Sequence, residues 1–262
     1  DDVTVSQDIN DVTFGRTIGV AVGAAGTIMF TVNGPAGFGT GFTLTSRFTS
    51  QNLNGVAANN NVFVAVGDNG TILRSNDGQT WSGVTTTSIT TKLNDITYDN
   101  GTWIAVGAAG TIIKSVDNGL KWSVVSSGST FDLNAVGYAN SVWVAVGQSG
   151  MVMNSSTTNT WYKKYVGVGT DFGGLAFGDN KFVTVGLASA IYSSEFAAVS
   201  AAGTATVSAA GTITSISIDE AGFGYDPNTP VEVLISVEPV IREKVTSVNV
   251  EGDYGTIVSV AT

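Results

Sequence analysis

The chain has 262 residues, a formal net charge of −10 at pH 7, and neither histidine nor cysteine. The missing residue types exclude a Ser-His-Asp triad, a Cys-His pair, disulfide bonds and metal sites built from imidazole or thiolate ligands. The acidic balance disfavours nucleic acid and anionic lipid as partners, and no apolar run approaches the roughly 20 residues that cross a bilayer, so we expect no membrane insertion.

One short phrase occurs five times between Val20 and Gly186. Each copy reads Val-Ala-Val-Gly or a close variant, and the copies end at Gly23, Gly67, Gly107, Gly147 and Gly186. The spacing of these glycines is nearly constant, and a strand-like repeat of about 40 residues is typical of a β-propeller blade. The spacing therefore predicts an all-β propeller of about five four-stranded blades, or an open array with further blades beyond this sequence.

The third copy shows the plan of a blade most clearly, between Leu93 and Val125. Apolar and polar residues alternate in its first strand, whereas its second strand, residues 103–107, is apolar on both faces. Such a strand is expected where both faces of a sheet are covered. Turns rich in Gly, Asn and Asp lead to a third strand near 111–115 and a fourth near 121–125, which completes one antiparallel blade.

The propeller is predicted to span residues 1–196. Its blades are expected near residues 10–50, 51–90, 91–130, 131–170 and 171–196. The first copy contains an insertion-like stretch at 35–42, and the fifth has no obvious fourth strand. We expect residues 1–9, and Val3–Val5 within them, to supply that strand and close the ring, because closure removes exposed sheet edges.

The turn between the third and fourth strands carries the pattern Ser-x-Asp-x-Gly-x-x-Trp. The pattern is complete at Ser115–Trp122, shortened by one residue at Ser75–Trp81, and without its Asp and Gly at Ser155–Trp161. It resembles the Asp-box, also called the BNR repeat. The resemblance implies that Asp77 and Asp117 accept backbone N–H groups across the turn, above a packed tryptophan. We therefore expect these carboxylates to be structural rather than ligands for calcium.

The sequence at residues 66–78, VGDNGTILRSNDG, is similar to the propeller family of photosystem II assembly factors. Repeats of this type also occur in virion structural proteins of tailed phages, including marine phages and cyanophages. Sialidases carry Asp-boxes too, but their chemistry needs an arginine cluster, a Tyr/Glu pair and an Asp acid/base. The four arginines occupy non-equivalent positions, namely Arg16, Arg47, Arg74 and Arg242, and the pair Asp219–Glu220 lies beside a predicted turn. We therefore predict no enzyme activity and no catalytic, cofactor-binding or metal-binding residues.

The five tryptophans all occupy repeat positions, where Phe63 and Phe182 are the counterparts of Trp103 and Trp143. Aromatic residues kept in register indicate core packing rather than sugar stacking. A sugar-binding site would instead use irregular loops. The candidate loops are the insertion with Phe38 and Phe42, the segment Tyr162–Tyr165, and the run Asn59–Asn61.

The blade pattern stops near residue 197. Residues 197–203 predict a small-residue linker, and residues 204–262 predict one or more small β modules. The part from 203 to 238 resembles a small β module of tailed-phage virion proteins, with an Ile-Thr-Ser-Ile strand, a Gly-x-Gly-Tyr turn and a Pro-Val strand. Because the sequence begins at Asp1 and stops within a predicted strand at Thr262, we expect a processed or longer parent polypeptide.

These features predict a non-enzymatic structural or attachment component of a phage virion, in a tail, fibre or appendage. The propeller would be a rigid display or interaction domain, and its partners would be other virion proteins in a homo- or hetero-oligomer. The alternative is a carbohydrate- or receptor-binding propeller module that recognises a host surface glycan or receptor. A third hypothesis is an assembly factor of the photosystem II type, although that family carries a basic patch and this chain is acidic.

Overall fold

The computed structural model describes residues 6–32, 41–45, 47–85, 89–166, 169–179, 181–195, 202–207, 213–220, 247–251 and 256–261. The chain divides into two units, one formed by Asp1–Gly178 with Phe182–Ser193 and the other by Asp179–Lys181 with Ser194–Thr262. The described residues form β-strands and short 3-10 turns, and they contain no α-helix.

Five antiparallel sheets follow one another along the first unit. The first sheet contains β1 (Ile9–Phe14), β2 (Ile18–Gly23), β3 (Ile28–Val32) and β4 (Thr43–Leu44). The second contains β5 (Leu53–Ala58), β6 (Phe63–Gly67), β7 (Ile72–Ser75) and β8 (Trp81–Gly83). The third contains β9 (Leu93–Asp99), β10 (Thr102–Gly107), β11 (Ile112–Ser115) and β12 (Ser123–Val125).

The fourth sheet contains β13 (Leu133–Ala139), β14 (Val142–Gly147), β15 (Met151–Ser155) and β16 (Tyr162–Tyr165). The fifth has three described strands, β17 (Phe172–Gly178), β18 (Lys181–Gly186) and β19 (Ile191–Glu195). In every sheet the strands are neighbours in chain order, and the first strands β1, β5, β9, β13 and β17 contact one another in succession. The predicted all-β architecture of about five blades is therefore confirmed, with three rather than four described strands in the last sheet.

The core lies between successive sheets. The forward face of a sheet, defined here as the face toward the next sheet, carries Val64, Val66 and Ile72 in the second sheet. These side chains pack against the backward face of the third sheet, which carries Trp103 and Ala105. The same arrangement recurs between the first and second sheets and between the third and fourth. The second strand of the second and third blades is apolar on both faces because it contributes to two such cores.

The glycine that ends each repeated phrase is required because a backbone carbonyl of the same blade lies where a Cβ would be. Gly107 has an extended backbone that any residue adopts, but a Cβ there would overlap the carbonyl oxygen of Lys92. The equivalent glycines of the other four blades meet the same obstacle at the matching carbonyl. The following turn is a 3-10 turn that also needs Gly110, whose φ is +68°. The recurrence of glycine therefore follows from backbone packing within each blade.

The two ends of the series expose apolar residues. In the fifth sheet Val185, Leu187 and Ile191 are exposed on or beside the forward face, next to a cavity of about 470 Å³. In the first sheet Val12 and Phe14 are exposed on the backward face. The residues expected to complete the fifth sheet, 3–5, lie outside the described residues, as do residues 35–40 of the predicted insertion.

The second unit contains two antiparallel hairpins. In the first, β20 (Ala202–Val207) pairs with β21 (Ile213–Glu220), and in the second, β22 (Ser247–Glu251) pairs with β23 (Thr256–Ala261). Ala202 and Gly203, predicted as linker, belong to β20, because strand pairing uses backbone groups that small residues also supply. The predicted Gly-x-Gly-Tyr turn and Pro-Val strand lie outside the described residues. Among the residues described, no helix is long and apolar enough to cross a membrane.

Candidate ligand pocket and the blade interfaces

The turns at Asp77 and Asp117 are held by hydrogen bonds within the turn. Asp77 Oδ1 accepts the backbone N–H of Gln79 at 2.9 Å and of Thr80 at 2.7 Å, and it also accepts the hydroxyl of Ser75. Burial raises the pKa of the Asp77 carboxyl, but the hydrogen bonds from the Thr80 and Gln79 N–H groups and from Ser75 outweigh it and leave the pKa lowered. Asp117 repeats the arrangement with the N–H of Lys121 at 2.9 Å. The donors that hold both carboxylates belong to their own turns.

A tryptophan completes each of these two turns. Trp81 donates its indole N–H to the carbonyl of Gly78 at 3.1 Å, and Trp122 donates to the carbonyl of Gly119 at 3.1 Å. The corresponding turn at Ser155–Trp161 differs, because Thr158 stands where the other two turns have glycine and has a φ of +64°. Within the described residues, the buried indole N–H of Trp161 has no hydrogen-bond partner. This turn, which lacks the Asp and Gly, thus contains a strained residue and an unsatisfied donor.

Thr158→Gly is expected to stabilise the chain by about 1 kcal/mol, because glycine adopts positive φ without the cost that a β-branched residue has there. The free energy of unfolding from urea titration measures the gain. Gly119→Thr is the reciprocal control, and it should destabilise by more, since a Cβ at Gly119 would lie 2.8 Å from a methyl group of Val64. A neutral or destabilising Thr158→Gly would contradict the strain.

A row of asparagines ties each blade to the next. Asn54 Nδ2 donates to the carbonyl of Leu93 at 2.8 Å, and Asn94 Nδ2 donates to the carbonyl of Leu133 at 2.8 Å. Asn10 and Asn134 make the same bond to the following sheets. This role was not predicted from the sequence, although Leu-Asn pairs at 53, 93 and 133 recur in the three middle blades and were a visible signal. The amides fix the spacing of the inner strands.

Two carboxylates lie one residue further along these inner strands. Asp11 accepts the N–H of Val56 in the second sheet at 2.7 Å, and Asp95 accepts the N–H of Val136 in the fourth at 2.8 Å. Burial raises the pKa of Asp95 to about 7; the charge of Asp11 adds to the rise, and the N–H groups of Val136 and Ile96 oppose it. Burial also raises the pKa of Asp11. Neither carboxylate was predicted as a site residue from the sequence.

Asp95 is expected to make the chain less stable as pH rises from about 4 to about 7. Its folded pKa lies above the unfolded value, so the native state binds more protons in this range, and the stability linked to Asp95 falls by up to about 4 kcal/mol. Asp95→Asn keeps an acceptor for Val136 but removes the titration. Urea unfolding at pH 4 and pH 8 should show a smaller loss of stability in the variant. An unchanged pH dependence would contradict the raised pKa.

The predicted loop Asn59–Asn61 lies at a cavity of about 510 Å³ on the side of the β1–β2 and β5–β6 hairpins. The lining residues come from the first three blades and are Phe14, Gly15, Arg16, Ala58, Asn59, Asn60, Asn61, Val62, Tyr98 and Asn118. Asn59 shapes this loop, since its Oδ1 accepts the N–H groups of Asn61 at 2.9 Å and Val62 at 2.7 Å. Its Nδ2 donates to Asn118 Oδ1 at 3.3 Å, which joins the second blade to the third.

The other predicted sugar-binding loops differ from this one. Tyr162–Tyr165 forms β16, the last strand of the fourth sheet, and Lys163 Nζ donates to the carbonyl of Gly128 at 2.5 Å. Phe42 is half-buried, and Phe38 lies outside the described residues. The tryptophans predicted as core are buried at 81, 103, 143 and 161, and Trp122 is partly buried.

The charged residues weighed for catalysis are dispersed. Arg16 lines the cavity, whereas Arg74 donates its Nε–H to the carbonyl of Asn118 at 2.7 Å and so joins two blades. Arg47 is exposed, and Arg242 lies outside the described residues. Asp219 and Glu220 are the last residues of β21. In the described ranges, no group of three or more Asp or Glu residues is placed to hold a metal ion.

Comparison with known proteins gives similarity in fold only. No protein-family model matches the chain, and no curated protein matches it. Among solved structures, YCF48 bound to D1 peptide aligns with a TM-score of 0.61 at 17% identity, over 85% of this chain and 87% of that one. The WD40 β-propeller domain of Doa1 aligns with a TM-score of 0.56 at 13% identity, over 98% and 93%.

A nidogen/laminin complex supplies a third similar chain, with a TM-score of 0.59 at 10% identity over 81% of each chain. Identities this low show a shared fold and by themselves assign no ligand to this chain. The five sheets with their repeated interfaces and the likeness to these structures agree on the architecture, and the chain has the fold of a β-propeller.

Proposed function

We propose that this chain is a non-enzymatic β-propeller for interaction and attachment, and that it works as a rigid display domain. The observation that carries the proposal is the cavity at Asn59–Asn61, which is lined by blades that are joined to one another by hydrogen bonds. Binding residues held by a rigid scaffold lose little conformational entropy when a ligand binds. Hydrogen bonds between the blades keep the cavity walls in place.

Structural neighbours support a macromolecular partner. YCF48 was solved bound to a D1 peptide, and the third similar chain comes from a nidogen/laminin complex. Both are complexes of a protein chain with a peptide or protein. For this chain we propose protein partners of the same general kind, which fits a surface that carries loops from several blades on one side.

The sequence resemblance to tailed-phage proteins supports a narrower assignment. We propose that the chain is part of a phage virion, in a tail, fibre or appendage, where it contacts other virion proteins in a homo- or hetero-oligomer. The two turns at Asp77 and Asp117 are then Asp-boxes with a structural role. The absence of histidine and cysteine from the sequence supports a role in binding rather than catalysis.

Cryo-electron microscopy of the native particle that carries the chain tests the virion assignment. Density for the propeller in a tail, fibre, neck or capsid is the expected result, and an antibody raised against this chain should label the same place. Detection of the chain only as a free protein, with no labelled particle, would overturn the virion assignment.

A carbohydrate- or receptor-binding role is the second candidate. It is favoured by one observation, the placement of Asn60 and Asn61 at the rim of a cavity with their side chains exposed. This role is compatible with attachment, because a virion component that binds a host surface needs such a site.

A further inference from the structure

We propose that the cavity at Asn59–Asn61 binds a saccharide that carries a carboxylate group. The inference deepens the attachment function and rests on it for its biological purpose. The volume of about 510 Å³ falls within the range of small-molecule sites, roughly 300–1,000 Å³.

The rim offers amide groups that are available to a ligand. Asn60 and Asn61 are exposed, and among the described residues their side chains make no hydrogen bond, while Asn59 is occupied in shaping the loop. Each free amide presents one acceptor oxygen and two N–H donors. Neighbouring hydroxyl groups of a sugar both donate and accept, so two adjacent amides match a polyhydroxylated ligand.

The lining also contains aromatic surface. Phe14 is 47% exposed, and Tyr98 lies at the cavity with its ring centroid 4.6 Å from that of Trp103. Contact with Trp103 restrains the tyrosine ring before any ligand arrives. A sugar ring has one face of C–H groups, and an aromatic side chain provides an apolar surface for that face. Amides beside aromatic rings therefore suit a saccharide better than a purely apolar ligand.

Charge in the cavity is opposite to that of the chain as a whole. The net charge is −10, but Arg16 is the only charged residue in the lining that the described part of the chain provides, and no described Asp or Glu belongs to it. A guanidinium group forms paired, charge-assisted hydrogen bonds with a carboxylate. Arg16 would thus select acidic sugars, such as uronic or sialic acids, over neutral ones.

Binding of the purified full chain to defined oligosaccharides tests the proposal. The probes are one set that ends in a uronic or sialic acid, a set of neutral oligosaccharides, and a set of unmodified peptides. The expected result is binding to acidic oligosaccharides, with a Kd that rises at least tenfold in the double variant N60A/N61A and in R16Q. Asn76→Ala is the matched control, because Asn76 is an exposed asparagine outside the cavity, and its Kd should not change.

Each other outcome overturns the inference. If neutral oligosaccharides bind as tightly as acidic ones, or if R16Q binds acidic oligosaccharides with an unchanged Kd, Arg16 does not select the carboxylate. If N60A/N61A binds acidic oligosaccharides as tightly as the unmodified chain, the cavity is not the binding site. If the chain binds only peptides, or none of the probes, it does not bind a saccharide. Thermal unfolding of each variant confirms that it is folded. The location of the chain in a particle is measured separately, so failure here leaves the attachment function standing.

Discussion

Gly107→Ala is expected to lower the free energy of unfolding by about 3 kcal/mol or more, because an added Cβ would overlap backbone atoms in a packed blade and no side-chain rotation relieves the overlap. An alanine Cβ would overlap the carbonyl oxygen of Lys92 and approach the Cα of Leu93 to 2.9 Å. Both obstacles are backbone atoms of the same blade, so relief requires β9 and β10 to separate. Urea unfolding followed by tryptophan fluorescence measures the loss.

Gly83→Ala is the control for the same substitution at a glycine without a neighbour. A Cβ at Gly83 would meet nothing within 4 Å, and the residue lies at the end of the short strand β8. We expect a change within about 0.5 kcal/mol, as for most surface substitutions. Similar losses in Gly107→Ala and Gly83→Ala would show that steric overlap is not the reason for the repeated glycine.

Ile112→Ala is expected to cost about 2–5 kcal/mol, the usual range for removing most of a buried isoleucine side chain. Ile112 is 0% exposed and packs in the core between the third and fourth sheets, beside Val106 and Trp143. The cavity left behind would lie between two rigid sheets that cannot easily move together. Equilibrium unfolding in urea measures this loss in the same way.

Ile191→Ala tests the same repeat position at the end of the series. Ile191 is 70% exposed, because no described sheet follows the fifth. Its truncation should cost less than about 1 kcal/mol, since little apolar area is removed from water there in the folded state. Equal losses for Ile191→Ala and Ile112→Ala would mean that the forward face of the fifth sheet is covered in solution.

The repeat made the architecture predictable. The repeated glycines each end a strand that is apolar on both faces. Such strands need sheets that are covered on both faces, and a series of packed blades provides this cover. The alternation around Ile96 and the turn residues near Asp99 identified the first strand and its hairpin. The outer strands were harder to predict, because β12 begins at Ser123 rather than at the predicted Lys121, and short edge strands have few buried residues that mark their limits.

The candidate site was only partly predictable. The sequence predicted Asn59–Asn61 as a candidate binding loop, but two other irregular loops were equally strong candidates. Arg16, Tyr98 and Asn118 did not stand out as companions, because they come from two other blades and lie far from the loop in the sequence. Their proximity depends on the angle between blades, which no local pattern encodes.

The buried carboxylates show the same limit. Asp11 and Asp95 look like ordinary polar residues of alternating strands, and the raised pKa of Asp95 arises only when the inner strands of the neighbouring blades bury it. The sequence by itself determined the repeat, the strand order within a blade and the glycine positions, since these depend on neighbours within a single blade. Tertiary structure alone decided which asparagines join blades, which line a cavity and which carboxylates are buried, because each of these depends on contacts between separate sheets.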